Sequence, residues 1–195
     1  MKWSAMLRKI ATRFHREDSG SITVESMLIL PILIWCYLGT FVFFDAFRAQ
    51  SINVKAGYTL GDTLSRETGY VTPAYMNSLF SLQQFLVDTF EPVQLRITVF
   101  RYTASDDSYR VRWSQARGGV APLSTAALGT LRGSLPEMAN NDIAILTETW
   151  VGYEPAFDVG IQPFTFSDLV VTRPRFASQL CWNSQNNGTI ATATC

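Results

Sequence analysis

Residues 20 to 44 read GSITVESMLILPILIWCYLGTFVFF, and this stretch decides how the chain is built. From Ser26 to Phe44 there are 19 residues without a charge. A helix of that length covers about 28 Å, which matches the hydrocarbon core of a bilayer. The run is also longer than the apolar part of a secretory signal, which has roughly 7 to 15 residues. We therefore predict a transmembrane span over about 26–44.

The charges before the span predict its orientation. Residues 1–20 hold five basic and two acidic side chains, a net charge of +3, and the rest of the chain carries −3. By the positive-inside rule, 1–20 is a short basic leader in the cytoplasm and the residues after about 45 are exported. Nucleic-acid binding usually needs a basic face, and the exported part is mildly acidic. We therefore expect no nucleic acid among its partners.

The periodicity after the span predicts that the helix continues to residue 66. Apolar residues recur there every four positions, the spacing of one helical face: Ile52, Ala56, Leu60 and Leu64. We expect one helix over 21–66, with its first half in lipid and its second half packed on the exported domain. Gly57 and Gly61 either allow a close approach to a neighbouring element or simply weaken this helix.

Residues 67–195 are predicted to form a small exported α+β domain. Thr72-Pro73 is a typical helix start, which predicts a second helix over 73–90. The apolar face of that helix is expected to contain Tyr75, Leu79, Leu82, Phe85, Leu86 and Phe90. Alternating apolar and polar residues predict four antiparallel strands: 93–103, 109–115, 142–153 and 168–173. The fold class is therefore α+β, a long N-terminal helix packed on a small antiparallel sheet.

The stretches between these elements are expected to be irregular, and their charges to face solvent. A short helix is predicted within 123–131, and 154–166 is predicted as a loop. The arginines of the first two strands are expected mostly on the solvent side: Arg96, Arg101, Arg110 and Arg112. Three later carboxylates are expected to be ordinary surface charges: Glu148, Glu154 and Asp158.

The residue inventory argues against catalysis. The chain has one histidine, His15, and it lies in the leader. The exported domain therefore lacks a Ser-His-Asp or Cys-His pair and any His-containing metal site. Gly118-Gly119 lacks the following Lys and Ser or Thr of a phosphate-binding loop. Composition alone leaves catalysis by two carboxylates open. We expect a protein that is not an enzyme and that has no metal or cofactor.

The three cysteines agree with an exported domain. Cys36 lies inside the apolar run, where it behaves as a small hydrophobic residue. Cys181 and Cys195 lie in the exported part, where disulfides persist. We predict that these two pair, which stabilises the fold by about 3 kcal/mol in the chain-entropy model. The alternative is two free thiols.

One carboxylate, Glu25, lies at the mouth of the predicted span. An ionisable group at that depth is costly, and by default it marks function. A cut after Gly20 would give Ser21 a new α-amino group, and Glu25 would become the fifth residue of the shortened chain. The plainer interpretation is that Glu25 lies near a helix start, where a carboxylate favours the helix dipole and reaches interfacial water.

The stretch from Gly20 to Glu25, GSITVE, followed by an apolar helix that contains Pro31, resembles the TadE/TadG-like pseudopilins of the tight-adherence (Flp) type IVb pilus system. The resemblance covers about residues 13–45. It implies that a prepilin peptidase cuts between Gly20 and Ser21, and that Glu25 is the carboxylate used in assembly. Ser26, where the major pilins have tyrosine, and the large C-terminal domain point to a minor pilin. Its length favours the TadE or TadF kind over TadG.

The resemblance also implies partners and a location. The partners would be the prepilin peptidase, other pilins, the pilus and secretion machinery, and membrane lipid. The protein would cross the bacterial inner membrane once, with a pilin-like domain in the periplasm and possible incorporation in the pilus. An uncleaved signal-anchored periplasmic protein that binds a ligand or partner is the alternative hypothesis. An envelope enzyme is the third.

Overall fold

A computed structural model of the chain describes residues 21–185 and 192–195. The predicted leader and Gly20 lie outside the described residues. The contacts of the chain separate two units. The span unit holds the described residues up to Asp45 together with Ala156–Ile161, and the sheet unit holds the described residues of Ala46–Pro155 and Gln162–Cys195.

The described elements form an α+β fold, as predicted. In chain order they are α1 (Ser21–Arg66), α2 (Pro73–Val87), β1 (Val93–Thr103), β2 (Ser108–Arg117), α3 (Thr125–Thr130), a 3-10 helix (Arg132–Ser134), β3 (Ile143–Tyr153), β4 (Phe164–Thr172), β5 (Trp182–Asn183) and β6 (Ala193–Thr194). Strands β1 to β4 form one antiparallel sheet in the order β2-β1-β3-β4. The second half of α1 belongs to the sheet unit, in agreement with the expectation that it packs on the domain that follows.

The sheet is covered on both of its faces. One face packs against α2 and the second half of α1, in a cluster that includes Leu60, Leu95 and Ile145. The opposite face packs against α3 and the loops beside it, in a cluster that includes Phe100 and Leu146. The central strand β3 is consequently buried along most of its length. Burial on both faces extends to the polar centre of this strand, Thr147, Glu148 and Thr149.

Two glycines bring α1 close to strand β4. A Cβ atom built on Gly57 would lie 3.3 Å from Cγ2 of Val170, and one built on Gly61 would lie 3.0 Å from Cγ2 of Thr172. The hydroxyl of Thr172 also donates a hydrogen bond to the Gly61 carbonyl, with 3.3 Å between the oxygens. Of the two roles that the sequence leaves open for this glycine pair, the structure therefore supports close packing, and it does so within one chain.

Helix α2 begins where its cap predicts. The Thr72 hydroxyl accepts a hydrogen bond from the Tyr75 N–H at 3.2 Å, and Pro73 is the first helical residue. The helix ends at Val87, three residues earlier than expected, because Asp88 adopts a left-handed conformation with φ of 47°. Its N–H donates to the Gln84 carbonyl, which closes the last turn.

The buried face of α2 agrees with the predicted one in part, because Leu79 is buried and Tyr75 and Leu82 pack against the core. Its buried residues are Met76, Leu79, Gln83 and Val87. Phe85 and Phe90 are 77% and 108% exposed, so their assignment to the apolar core face is wrong. Gln83 occupies a core position because its amide donates to the Gln94 carbonyl at 3.1 Å. A polar side chain can be buried when it bonds to the backbone, and the spacing of apolar residues does not predict such a position.

Strand β4 begins inside the segment that was predicted to be a loop. It starts at Phe164, four residues before the predicted start, because Phe164 pairs with Tyr153 at the end of β3. The rings of Tyr153, Phe164 and Phe166 support this pairing, with centroids between 4.7 and 5.7 Å apart. The strand ends at Thr172 on an edge of the sheet, as the nearby Pro174 predicts.

An ion pair is buried beneath the loop that covers the second face of the sheet. Arg96 and Glu148 lie opposite each other on β1 and β3, joined by hydrogen bonds of 2.6 and 2.7 Å. Their side chains are 14% and 6% exposed, so the prediction of two solvent-facing residues is wrong. Arg96 also donates to the Ala121 carbonyl and lies 5.0 Å from the ring centroid of Trp150. The loop carrying Ala121 removes water from the pair.

The disulfide fastens the last strands to the first face. The Sγ atoms of Cys181 and Cys195 are bonded, the pairing that the sequence favours. The backbone of Val71, between α1 and α2, exchanges two 2.9 Å hydrogen bonds with Cys181 and Asn183. The indole N–H of Trp113 donates to the carbonyl of residue 180 at 2.8 Å. The C-terminal segment thus closes over the core cluster that includes Trp113.

Replacing Gly61 with alanine is expected to lower stability. The new methyl group would lie 3.0 Å from Thr172, and overpacking costs about 1 to 3 kcal/mol. The gain in helix propensity, about 1 kcal/mol, offsets part of that cost. Gly129→Ala is the matched control, because that helical glycine has nothing within 4 Å of the added Cβ. Urea unfolding of the full chain in detergent micelles should rank Gly61→Ala below the parent and Gly129→Ala at or above it.

Breaking the buried ion pair is expected to be severe. Glu148→Gln would leave the Arg96 guanidinium buried without a counter-charge, which costs about 3 to 5 kcal/mol. Asp62→Asn breaks the exposed pairs with Arg66 and Arg175, each of which is expected to contribute less than about 1 kcal/mol. Near-ultraviolet circular dichroism during urea unfolding measures both. Equal losses for the two variants would contradict the burial of the Arg96–Glu148 pair.

Candidate functional site

The first half of α1 presents apolar side chains on all of its sides. They include Ile22, Met27, Leu28, Leu33 and Tyr37, each more than 60% exposed. Only 6% of the most apolar stretch of the helix is buried within the chain. A helix that is apolar all round needs lipid or protein around it. By length and composition this helix is able to cross a membrane, in agreement with single-pass anchoring.

Few polar groups lie inside the apolar run, and most of them find their hydrogen-bond partners within the helix itself. Pro31 lies within α1 and has no N–H to donate, and the helix continues through it. The Thr40 hydroxyl donates to the Cys36 carbonyl at 2.8 Å, one turn earlier. Such bonding to the preceding turn satisfies a hydroxyl without any partner from outside. The ionisable group at the start of the run is therefore the distinctive one.

Glu25 is exposed on the same face of α1 as a row of apolar residues. That row consists of Ile22, Ile29, Leu30 and Leu33, and Ser26 is its other polar member. Among the described residues, no hydrogen bond or ion pair reaches the Glu25 carboxylate. Ser21 precedes Glu25 by one helical turn, a rise of about 6 Å along the axis. Residues four apart share a face, so Glu25 points to the side on which Ser21 lies.

The chemistry available to this site is charge pairing. A carboxylate within apolar surroundings lowers its free energy most by meeting a cation. An α-amino group has a reference pKa of about 7.7 to 8.0 and is mostly charged at neutral pH. A chain that began at Ser21 would carry such a group beside Glu25. Gly20, the other half of the predicted cut, lies outside the described residues.

A second group of charges, at the turn between β1 and β2, is satisfied within itself. Arg132 and the Tyr102 hydroxyl donate to the Asp107 carboxylate at 2.5 and 2.7 Å, and Asp106 pairs with Arg110. The bond from Arg132, followed by that from Tyr102, lowers the pKa of Asp107. Because the pKa is lowered in the folded state, this pairing stabilises the fold above the usual carboxyl range and is lost as the pH falls. These bonds hold the turn between β1 and β2 in place.

Within residues 21–185 and 192–195, no cluster of three or more His, Cys, Asp or Glu side chains is arranged to hold a metal ion. The two other carboxylates that the sequence places at the surface, Glu154 and Asp158, are indeed exposed. Asp158 accepts a hydrogen bond from the Gly160 N–H at 3.2 Å, which shapes the loop that carries both.

Sequence analysis missed the residue that sets how α1 sits on the sheet. Asn53 is fully buried, and its amide donates to the Asp168 carboxylate at 2.6 Å. Thr149, on the neighbouring strand, is also buried and lies beside Gly57. The available signal was spacing, because Asn53 lies four residues before Gly57 and seven before Leu60, on the buried side of the helix.

Comparison of the chain with protein-family models, with curated proteins and with solved structures gives no match.

Proposed function

We propose that the chain is a minor pilin, or pseudopilin, that takes part in the assembly of a Flp-type type IVb pilus. A prepilin peptidase removes 1–20 by cutting between Gly20 and Ser21. The first half of α1 crosses the bacterial inner membrane, with 1–20 in the cytoplasm and the sheet unit in the periplasm. The Glu25 carboxylate then pairs with the Ser21 amine of a neighbouring subunit. The chain itself performs no catalysis and needs no cofactor.

The observation that carries this proposal is the position of Glu25. Its carboxylate is exposed on an apolar helix face, one turn after Ser21, and has no partner among the described residues. A carboxylate at the centre of a membrane helix costs up to about 3 kcal/mol on insertion scales. An ion pair between subunits would relieve that cost, and it would also set the register of one α1 against the next.

The architecture of the rest of the chain supports the same proposal. The second half of α1 is packed on the sheet, whereas the first half has its apolar side chains exposed. A helix divided in this way joins a folded domain to an environment of lipid or of other apolar helices. In a filament, the exposed halves of α1 would supply the common core.

The second candidate is an uncleaved, signal-anchored periplasmic protein that binds a ligand or partner. The same exposure of Glu25 supports it, because a carboxylate near a helix start is favoured by the dipole and reaches interfacial water without an ion pair. In that case the apolar half of α1 is only an anchor. The two candidates differ in the N-terminus of the native protein and in the effect of removing the Glu25 charge.

The native protein is expected to begin at Ser21. Intact-mass spectrometry of protein purified from producing cells should give the mass of residues 21–195, with the disulfide formed. Cells without the prepilin peptidase are the control, and they should give the full chain from Met1. Full-length protein in cells that contain an active peptidase would favour the uncleaved anchor.

Removing the Glu25 charge is expected to block assembly and to leave processing intact. Glu25→Ala and Glu25→Gln should both be cleaved and inserted, because neither adds a polar group to the helix. Cross-linking between subunits and the amount of protein in sheared pili should both fall strongly. Ser26→Ala is the matched control, since Ser26 is the exposed neighbour on the same helix face. Normal piliation with Glu25→Gln would remove Glu25 from the mechanism.

A further inference from the structure

Exposed phenylalanines gather at one end of the sheet unit. Among the described residues of that unit, six large apolar side chains are exposed: Phe47, Tyr58, Phe85, Phe90, Phe164 and Phe176. Isolated exposed apolar residues are normal, but a group at one place marks an interaction surface. We name Phe47, Phe85, Phe90 and Phe164 the proximal phenylalanines. The contacts of their elements assign these four to a single end.

Strand pairing brings the ends of three elements together. Phe164, the first residue of β4, pairs with Tyr153, the last residue of β3. The Gly152 N–H donates to the Pro92 carbonyl at 2.9 Å, so the segment after α2, which contains Phe90, lies at the same end.

Helix packing adds the start of the sheet-unit part of α1. Val87 in the last turn of α2, next to Phe85, shares an apolar cluster with Ala56 and Val151, and Ile52 packs against it. Helix α1 enters the sheet unit at residue 46, just before Phe47. The proximal phenylalanines therefore lie at the end of the sheet unit at which α1 enters.

Two stretches of chain connect this end of the sheet unit to the apolar run of α1. Phe47 follows Phe44, the last residue of the uncharged run, by three residues, which is about 4.5 Å along a helix. The ring of Phe157 contacts the ring of Phe41, with 5.9 Å between centroids. Phe157 lies in Ala156–Ile161, the segment between β3 and Phe164, which belongs to the span unit together with Phe41.

We propose that the proximal phenylalanines insert into the outer leaflet of the membrane that α1 crosses. The partner is a lipid surface, met where the acyl chains give way to the head groups. This inference rests on the membrane span of the proposed function and is independent of pilus assembly. Phenylalanine is one of the residues with which proteins bury an apolar face in that layer.

The charges at this end of the sheet unit indicate which kind of lipid surface it contacts. Asp88 and Glu154 are exposed at this end, Glu91 is half-buried, and Arg48, which follows Phe47, is exposed as well. Because both signs of charge lie at this end, insertion is driven by apolar contact and not by attraction to charged head groups. A bilayer of zwitterionic phosphatidylcholine is consequently a sufficient partner.

Spin-label accessibility in the full chain tests the proposal. The chain is reconstituted in phosphatidylcholine nanodiscs in a Cys36→Ser background, with the disulfide kept oxidised. Phe90→Cys carries the nitroxide; because Phe90 is fully exposed, its replacement removes no packing contact. Phe176→Cys is the matched control, since Phe176 is 70% exposed and follows Arg175, whose N–H donates to the carbonyl of Ser65 near the far end of α1.

We expect the ratio of oxygen to nickel-chelate accessibility to be several-fold higher at position 90 than at position 176, because oxygen concentrates in lipid and the chelate stays in water. Equal ratios, both typical of water, would overturn the proposal. Low accessibility to both reagents at position 90 would indicate a protein partner, such as a second copy of the chain, and would overturn it as well.

A third label separates this proposal from the anchor on which it rests. Leu33→Cys lies in the middle of the apolar run and should show the accessibility of lipid. Lipid accessibility at position 33 with water accessibility at position 90 would leave the membrane span intact and remove the role of the phenylalanines. Water accessibility at position 33 would remove the span, and both proposals with it.

Discussion

The apolar surface of the first half of α1 is the constraint on which the rest of the structure depends. Burying one large apolar side chain contributes about 1.5 to 3 kcal/mol, and this half of the helix exposes more than ten of them. A single carboxylate at the membrane centre costs about 3 kcal/mol on insertion scales, and Glu25, at the start of the span, costs less than that. Lipid burial therefore outweighs the cost of Glu25 many times over. The carboxylate is carried into the apolar layer by its neighbours, and there it gains from a cation.

The sheet unit holds the second half of the same helix in one position. Gly57 and Gly61 remove side chains where α1 meets β4, and Asn53 donates to Asp168 within that contact. On the other face of the sheet, Arg96 and Glu148 form a buried pair. Buried polar contacts tolerate little displacement, because a group that loses its partner costs more than the bond itself contributes. The contact between Asn53 and Asp168 therefore specifies the position of the helix on the sheet, and the ion pair favours the register of β1 against β3.

Most elements of this fold are predicted from patterns in adjacent residues. The long helix, the cap at Thr72 and the four strands each follow from periodicity or turn chemistry in adjacent residues. The predictions for part of the buried face of α2, the start of β4 and the location of Arg96 and Glu148 are wrong. In each case the outcome depends on a partner elsewhere in the sequence. Gln83 donates a hydrogen bond to Gln94, Phe164 pairs with Tyr153, and Arg96 pairs with Glu148.

The sequence alone determined that one helix is long and apolar enough to span a bilayer, that a carboxylate lies at its start, and that an α+β domain follows. Composition and the spacing of apolar residues are sufficient for these conclusions, because both are properties of consecutive residues. Only the tertiary structure decided that the glycines serve contacts within the chain, and that exposed phenylalanines gather where α1 enters the sheet unit. Both depend on which strands become neighbours, and strand pairing joins residues that are far apart along the chain.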